Sequence, residues 1–98
     1  MTVQLSIRDR IRDDVALYDI TRQSAKTVLA LLRRLRAASS DAIETEYWQV
    51  RIAGVKEAEA ALDPDLPALQ ILAQQDRWVA EGNELLTMTD IPPLDGTW

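Results

Sequence analysis

The stretch DAIETEYWQVRIAGVKEAEAAL, residues 41–62, decides the fold class. A three- and four-residue spacing joins its apolar and small residues, which are Ile43, Tyr47, Val50, Gly54, Ala58 and Ala61. This spacing places all six on one face of an α-helix. Asp41 and Glu44 resemble a capping box at the N-terminus of this helix, and Asp63-Pro64 ends the helix. We therefore predict a helix over 41–62, with a neighbouring helix packed closely against the small surface around Gly54.

Before this stretch, the pattern predicts a longer first helix over about 6–37. Its apolar residues follow a similar spacing from Ile7 to Leu32, with one gap at Arg22. Asp19 and Thr21 are both suitable N-cap residues, so the helix is expected either to break near 19–21 or to continue and overhang its neighbour. An unbroken first helix would extend roughly 13 Å beyond the end of the second helix, and a second subunit could cover that length. The arginines near its end are expected to complement the helix dipole rather than bind phosphate; they are Arg33, Arg34 and Arg36.

After a proline-containing turn, a third helix is predicted over about 66–87. One interpretation is a heptad seam with two polar interruptions, made of Leu69, Leu72, Asp76, Val79, Asn83 and Leu86. The favoured interpretation centres the buried face on Leu72, Val79, Leu85 and Leu86 and leaves Asp76 and Asn83 at its edge. A parallel line seven residues apart joins Ile71, Trp78 and Leu85. Gly82-Asn83 offers an earlier C-terminal cap for the helix.

Residues 89–98 are predicted to form an extended tail, because Pro92-Pro93 is incompatible with a helix. The tail carries Ile91, Leu94 and Trp98, and we expect it to dock on its own bundle or on another chain. The whole prediction is a single domain over 1–98, an all-α antiparallel bundle of three long helices followed by this tail.

Composition argues against catalysis. The chain has no cysteine and no histidine, and its three glycines are scattered. It therefore lacks a thiol or Ser-His nucleophile, the usual zinc and haem ligands, and a phosphate-cradling loop. We predict a protein that is not an enzyme and that has no metal or cofactor. The longest apolar run, Val28–Leu32, is too short to span a membrane, so membrane association is not expected and a cytoplasmic location is the default.

Charge is distributed unevenly along the chain. Residues 1–36 carry eight basic and four acidic side chains, whereas residues 37–98 carry three basic and twelve acidic ones. The two parts are expected to pack against each other, within one chain or between two; the alternative is that one of them meets a charged partner. The net charge of −5 and the lack of interleaved basic and aromatic residues argue against nucleic-acid binding.

The function predicted from these features is a non-enzymatic protein–protein interaction module, a self-associating helical adaptor or regulator that forms a homodimer. An alternative is a small acidic inhibitor, of cellular or phage origin, that binds a nucleic-acid-handling machine. Trp48 and Trp78 are expected mainly to pack in the core, and Trp98 to act as a contact anchor. The residues named as candidates for contact with a partner are Trp98, Leu94, Ile91, Trp78, Trp48, Asp76 and Asn83.

Overall fold

The computed structural model describes residues 14–88 of the chain, which form three α-helices. Helix α1 spans Asp14–Ala38, α2 spans Ala42–Ala61 and α3 spans Ala68–Met88. No strand occurs within this part of the chain. The predicted all-α helical bundle is confirmed. The predicted first turns of α1 and the tail at 89–98 lie outside the described residues.

Helix α1 is continuous through the position where a break was considered. Thr21 is fully buried, and its hydroxyl donates a hydrogen bond of 2.7 Å to the carbonyl of Leu17 one turn earlier. Because this hydroxyl is satisfied inside the helix, Thr21 does not act as an N-cap. At the other end only Arg36 lies in the last turn, so the predicted placement of Arg33 and Arg34 in that turn is wrong.

The ends of α2 follow the sequence signals closely. Asp41 has extended backbone, and its carboxylate accepts a hydrogen bond of 2.7 Å from the amide of Glu44. This bond satisfies one of the amides that have no partner within the first turn.

Helix α3 begins just after Pro67, whose carbonyl accepts hydrogen bonds from the amides of Gln70 and Ile71. It continues to Met88, so the earlier end considered at Gly82-Asn83 is wrong.

Helix α1 packs against both of the other helices. The short link between α1 and α2 makes these two antiparallel. Leu17 clusters with Ile71 and Leu72 near the start of α3, and Val28 lies beside Gly82 near its end. Since both contacts advance in the same direction along the two helices, α1 and α3 are parallel. The main core joins side chains of all three helices: Ala25, Val28, Leu29, Leu31, Leu32, Trp48, Ile52, Val55, Trp78 and Leu85.

The buried face of α2 is not the predicted one. Trp48, Ile52 and Val55 are buried, whereas most of the predicted stripe faces solvent: Ile43, Tyr47, Val50, Gly54 and Ala61 are exposed, and Ala58 is half-buried. The predicted close approach at Gly54 is absent within the described residues, since no heavy atom outside the local backbone of α2 and the two adjacent residues lies within 4 Å of where a Cβ would stand. Helix α2 carries two apolar stripes, and the stripe that meets the core contains the large indole of Trp48 together with Ile52 and Val55.

Helix α3 likewise buries a different face from the predicted heptad seam. Its core line is Ile71, Trp78 and Leu85, and Trp78 is only 2% exposed. Of the heptad seam only Leu72 is buried; the other members, Leu69, Asp76, Val79, Asn83 and Leu86, are exposed. The favoured interpretation was correct for Leu72 and Leu85 and wrong for Val79 and Leu86.

Candidate protein-interaction surfaces

The outer surface of α2 exposes three large apolar side chains in a line that ends at a glycine. We call this line the α2 stripe: Ile43, Tyr47, Val50 and Gly54. Ile43 is 83% exposed, Val50 65% and Tyr47 54%. At 3.6 residues per turn, the stripe is centred about 130° around the helix from the buried Trp48, on the side that carries Arg51. The helix therefore buries one apolar face within this chain and presents another to solvent.

A cluster around Arg51 supports this stripe. The Arg51 guanidinium donates to the Glu81 carboxylate at 2.5 Å, which links α2 to α3. Its Cζ also lies 5.9 Å from the ring centroid of Tyr47 and 5.6 Å from that of Trp48. Burial alone would lower the pKa of Arg51, but the hydrogen bond and negative charge of Glu81 raise it above its ordinary value. Arg51 therefore carries a permanent positive charge that Glu81 balances.

The aromatic members of this cluster are also held against each other. The rings of Tyr47 and Trp48 meet edge to face, with centroids 4.9 Å apart and planes inclined at 70°. Tyr47 thus has a ring neighbour and a cationic neighbour while half of its surface faces solvent. Tyrosine, tryptophan and arginine are the residues most enriched at interface hot spots. A tyrosine held in place loses little side-chain entropy on binding, which favours association through this surface.

A second surface lies between α1 and α2 and is basic. We call it the basic groove; it has a volume of about 810 Å³ and is lined by Tyr18, Arg22, Lys26, Leu29, Arg33, Lys56, Glu59, Ala60 and Leu62. Four of these residues are cationic and one is a carboxylate. The Arg22 guanidinium lies over the Tyr18 ring, with its Cζ 5.8 Å from the centroid. The groove therefore concentrates positive charge on a protein whose net charge is −5.

The residues proposed from sequence as contact sites are spread over the molecule. Trp48 and Trp78 are in the core, in agreement with the packing role expected for them. Asp76 and Asn83 lie on the exposed side of α3. None of these four residues belongs to the α2 stripe. Trp48 touches the stripe through the contact of its ring with that of Tyr47. Ile91, Leu94 and Trp98 lie outside the described residues.

Sequence reasoning missed Tyr47 and Arg51 as surface residues, and it missed the basic groove. The α1 wall of the groove had a readable signal, because Arg22, Lys26 and Arg33 are separated by four and seven residues and so share one helical line. The α2 wall, including Lys56, depends on how two helices are placed side by side. No local pattern in the sequence predicts how the two helices are placed.

Within residues 14–88 no group of three or more acidic side chains is placed to hold a metal ion. In the same part of the chain no helix combines the length and apolarity needed to cross a membrane. Comparisons with protein-family models, with curated proteins and with solved structures found no match to this chain.

Proposed function

We propose that this chain is a non-enzymatic protein-binding module that pairs with a second copy of itself through the α2 stripe. The observation that supports this most directly is the exposure of Ile43, Tyr47 and Val50 along one line of a helix whose other face is already packed. Removing apolar surface from water stabilises an association by about 25 cal/mol per Å². Contiguous apolar surface of this kind is typical of interaction sites.

The order of residues in the stripe fits a second copy in antiparallel orientation. A two-fold axis beside Val50 and Arg51 would place Tyr47 of one copy opposite Gly54 of the other, and Ile43 opposite Ala58. Large side chains would then face small ones, so the two helices could approach closely. A parallel arrangement would instead oppose Tyr47 to Tyr47 and leave a gap between the two Gly54 residues. The stripe is thus complementary to itself, as a two-fold interface requires.

Charge does not oppose this pairing. Arg51 would lie near the two-fold axis, close to its counterpart in the second copy. Its charge is already balanced within each chain by Glu81, at 2.5 Å. A balanced pair contributes little repulsion across the axis. The Arg51–Glu81 pair therefore keeps the centre of the stripe compatible with association.

The dimer is expected to be weak. Stable interfaces bury about 800 Å² on each partner, and three large side chains with their small neighbours supply less than that. A dissociation constant of the order of micromolar is consistent with such a surface. Association should therefore depend on protein concentration across the range that ultracentrifugation covers.

Sedimentation equilibrium of matched variants tests this proposal. Val50→Glu places a charge at the centre of the stripe and should yield a monomer. Val79→Glu makes the same substitution at an exposed valine of α3 and should leave the dimer intact. Circular dichroism of both variants checks that the helices are retained. A wild-type chain that stays monomeric at high concentration, or a dimer disrupted only by Val79→Glu, would refute the proposal.

Cross-linking provides a second test, because the chain has no cysteine of its own. Val50→Cys would place two thiols near the proposed two-fold axis and should oxidise readily to a covalent dimer. Gln49→Cys is the control, since Gln49 is exposed on α2 but lies about 130° around the helix from the stripe. Equal rates of cross-linking in the two variants would indicate random collision rather than a defined interface.

A further inference from the structure

We propose that the basic groove is a second, separate binding surface, and that its ligand is an acidic peptide segment of a partner protein. The groove combines four cationic side chains with one carboxylate. It also contains apolar surface from Leu29 and Leu62. This combination matches a segment in which glutamate or aspartate side chains alternate with apolar ones.

The spacing of the cations fits an extended chain. Arg22, Lys26 and Arg33 lie along α1 over eleven residues, a rise of about 16 Å. Lys56 faces them from α2 on the opposite wall. An extended peptide advances about 3.3 Å per residue, so about five residues would cover this length. Successive side chains of an extended peptide point to opposite sides. Acidic side chains can therefore reach the cations of the groove while apolar side chains contact Leu29 and Leu62.

The groove suits a peptide better than a nucleic acid or a small molecule. A nucleic-acid strand carries one negative charge about every 3.4 Å, and Glu59 within the groove would repel it. The four cationic side chains are exposed, whereas sites for small ligands enclose most of the ligand surface. An acidic peptide can place its carboxylates beside the cations and leave an apolar or polar side chain beside Glu59.

A second copy paired through the α2 stripe would not cover this groove. Lys56 lies about 150° around α2 from the centre of the stripe, so the groove and the stripe are on nearly opposite sides of the helix. Two basic grooves facing each other across a two-fold axis would also repel. Both surfaces can therefore be occupied at once, which would let a dimer hold two acidic segments.

Fluorescence anisotropy with a labelled peptide of alternating glutamate and leucine tests this inference at low ionic strength. A peptide of alternating glutamine and leucine and an oligothymidylate of equal charge are the comparison probes. Arg33→Glu should weaken binding of the acidic peptide at least about tenfold, because it reverses a charge that faces the ligand. Lys56→Glu should weaken it comparably from the other wall. Arg34→Glu is the matched control: Arg34 is also exposed but lies outside the groove, so its reversal should have a much smaller effect.

The outcomes separate this inference from the proposed dimer. Val50→Glu should lose dimerisation and keep peptide binding, whereas Arg33→Glu should do the reverse. Binding should weaken as salt is added, since the cations are exposed to solvent. Failure of the wild-type protein to bind the acidic peptide would overturn the inference. So would equal losses from Arg33→Glu and Arg34→Glu, or tighter binding of the oligothymidylate than of the peptide.

Discussion

Replacing Gly54 with alanine should stabilise the single chain and weaken the proposed dimer, two effects of opposite sign from one methyl group. Gly54 lies inside α2 and is exposed, and no heavy atom beyond the local backbone of α2 and the two adjacent residues stands within 4 Å of the position that a Cβ would occupy. An alanine therefore fits the isolated chain without any movement. The variant consequently isolates helix propensity from packing in the monomer.

The size of the stabilising effect follows from the helix position alone. Glycine in a helix interior costs about 0.8–1.0 kcal/mol relative to alanine, because it has more backbone freedom to lose on folding. Since no contact is lost, the free energy of unfolding should rise by about 0.8 kcal/mol. For a domain of this size, that corresponds to an increase in melting temperature of about 3–6 °C.

The destabilising effect concerns the proposed interface. There Gly54 leaves room for the Tyr47 ring of a second copy, and an added methyl group would overfill that space. Overpacking of a close contact costs about 1–3 kcal/mol, so the dissociation constant of the dimer should rise at least about fivefold. Urea unfolding at low protein concentration measures the first effect, and sedimentation equilibrium measures the second.

Gly82→Ala is the control for this experiment. Gly82 is also inside a helix, but it is buried, and a Cβ there would lie 3.8 Å from Cγ2 of Val28, an ordinary contact distance. This variant should gain helix propensity without changing dimerisation. If Gly54→Ala lowers the stability of the monomer, the isolated chain does contact Gly54 and our view of that surface is wrong. An unchanged dimer would instead exclude the pairing of Tyr47 with Gly54.

Two further predictions concern the fold itself. Trp78→Ala should lower the free energy of unfolding by about 3–5 kcal/mol, because it empties the centre of the core; urea unfolding followed by circular dichroism measures this, and a loss below about 1 kcal/mol would contradict the burial of Trp78. Asp41→Ala should cost about 1 kcal/mol by removing the carboxylate that caps α2. Ser40→Ala, at the exposed neighbouring position, should stay within about 0.5 kcal/mol, and equal losses from the two changes would show that the cap contributes nothing specific.

The number of helices and most of their ends were predictable from local chemistry. Asp41 caps α2 through its own side chain, and Pro67 precedes the first turn of α3, so both signals act within a few residues of the boundary. Thr21 shows the limit of the same reasoning. Its hydroxyl can cap a new helix or bond back to the carbonyl one turn earlier, and tertiary burial selected the second.

Which face of each helix is buried was not predictable in the same way. Periodicity shows that residues share a face, but it does not show which of two apolar faces meets the core. In α2 both Ile43-Tyr47-Val50 and Trp48-Ile52-Val55 have helical spacing. The choice depends on the surface that α1 presents, which is a property of the assembled bundle. The hydrogen bond between Arg51 and Glu81, which are thirty residues apart, also depends on the assembled bundle and was therefore not predictable from the sequence.

The misassigned face of α2 supports the proposed pairing. A helix needs only one apolar face to join a three-helix core, and Trp48, Ile52 and Val55 already provide it. A second apolar face that includes a glycine lowers solubility and costs helix stability, and no side chain of the described residues packs over Gly54 to offset that cost. Such a face is accounted for if α2 has a neighbour outside this chain in addition to α1 and α3 within it. The basic groove, on the far side of the same helix, then remains open to a different partner.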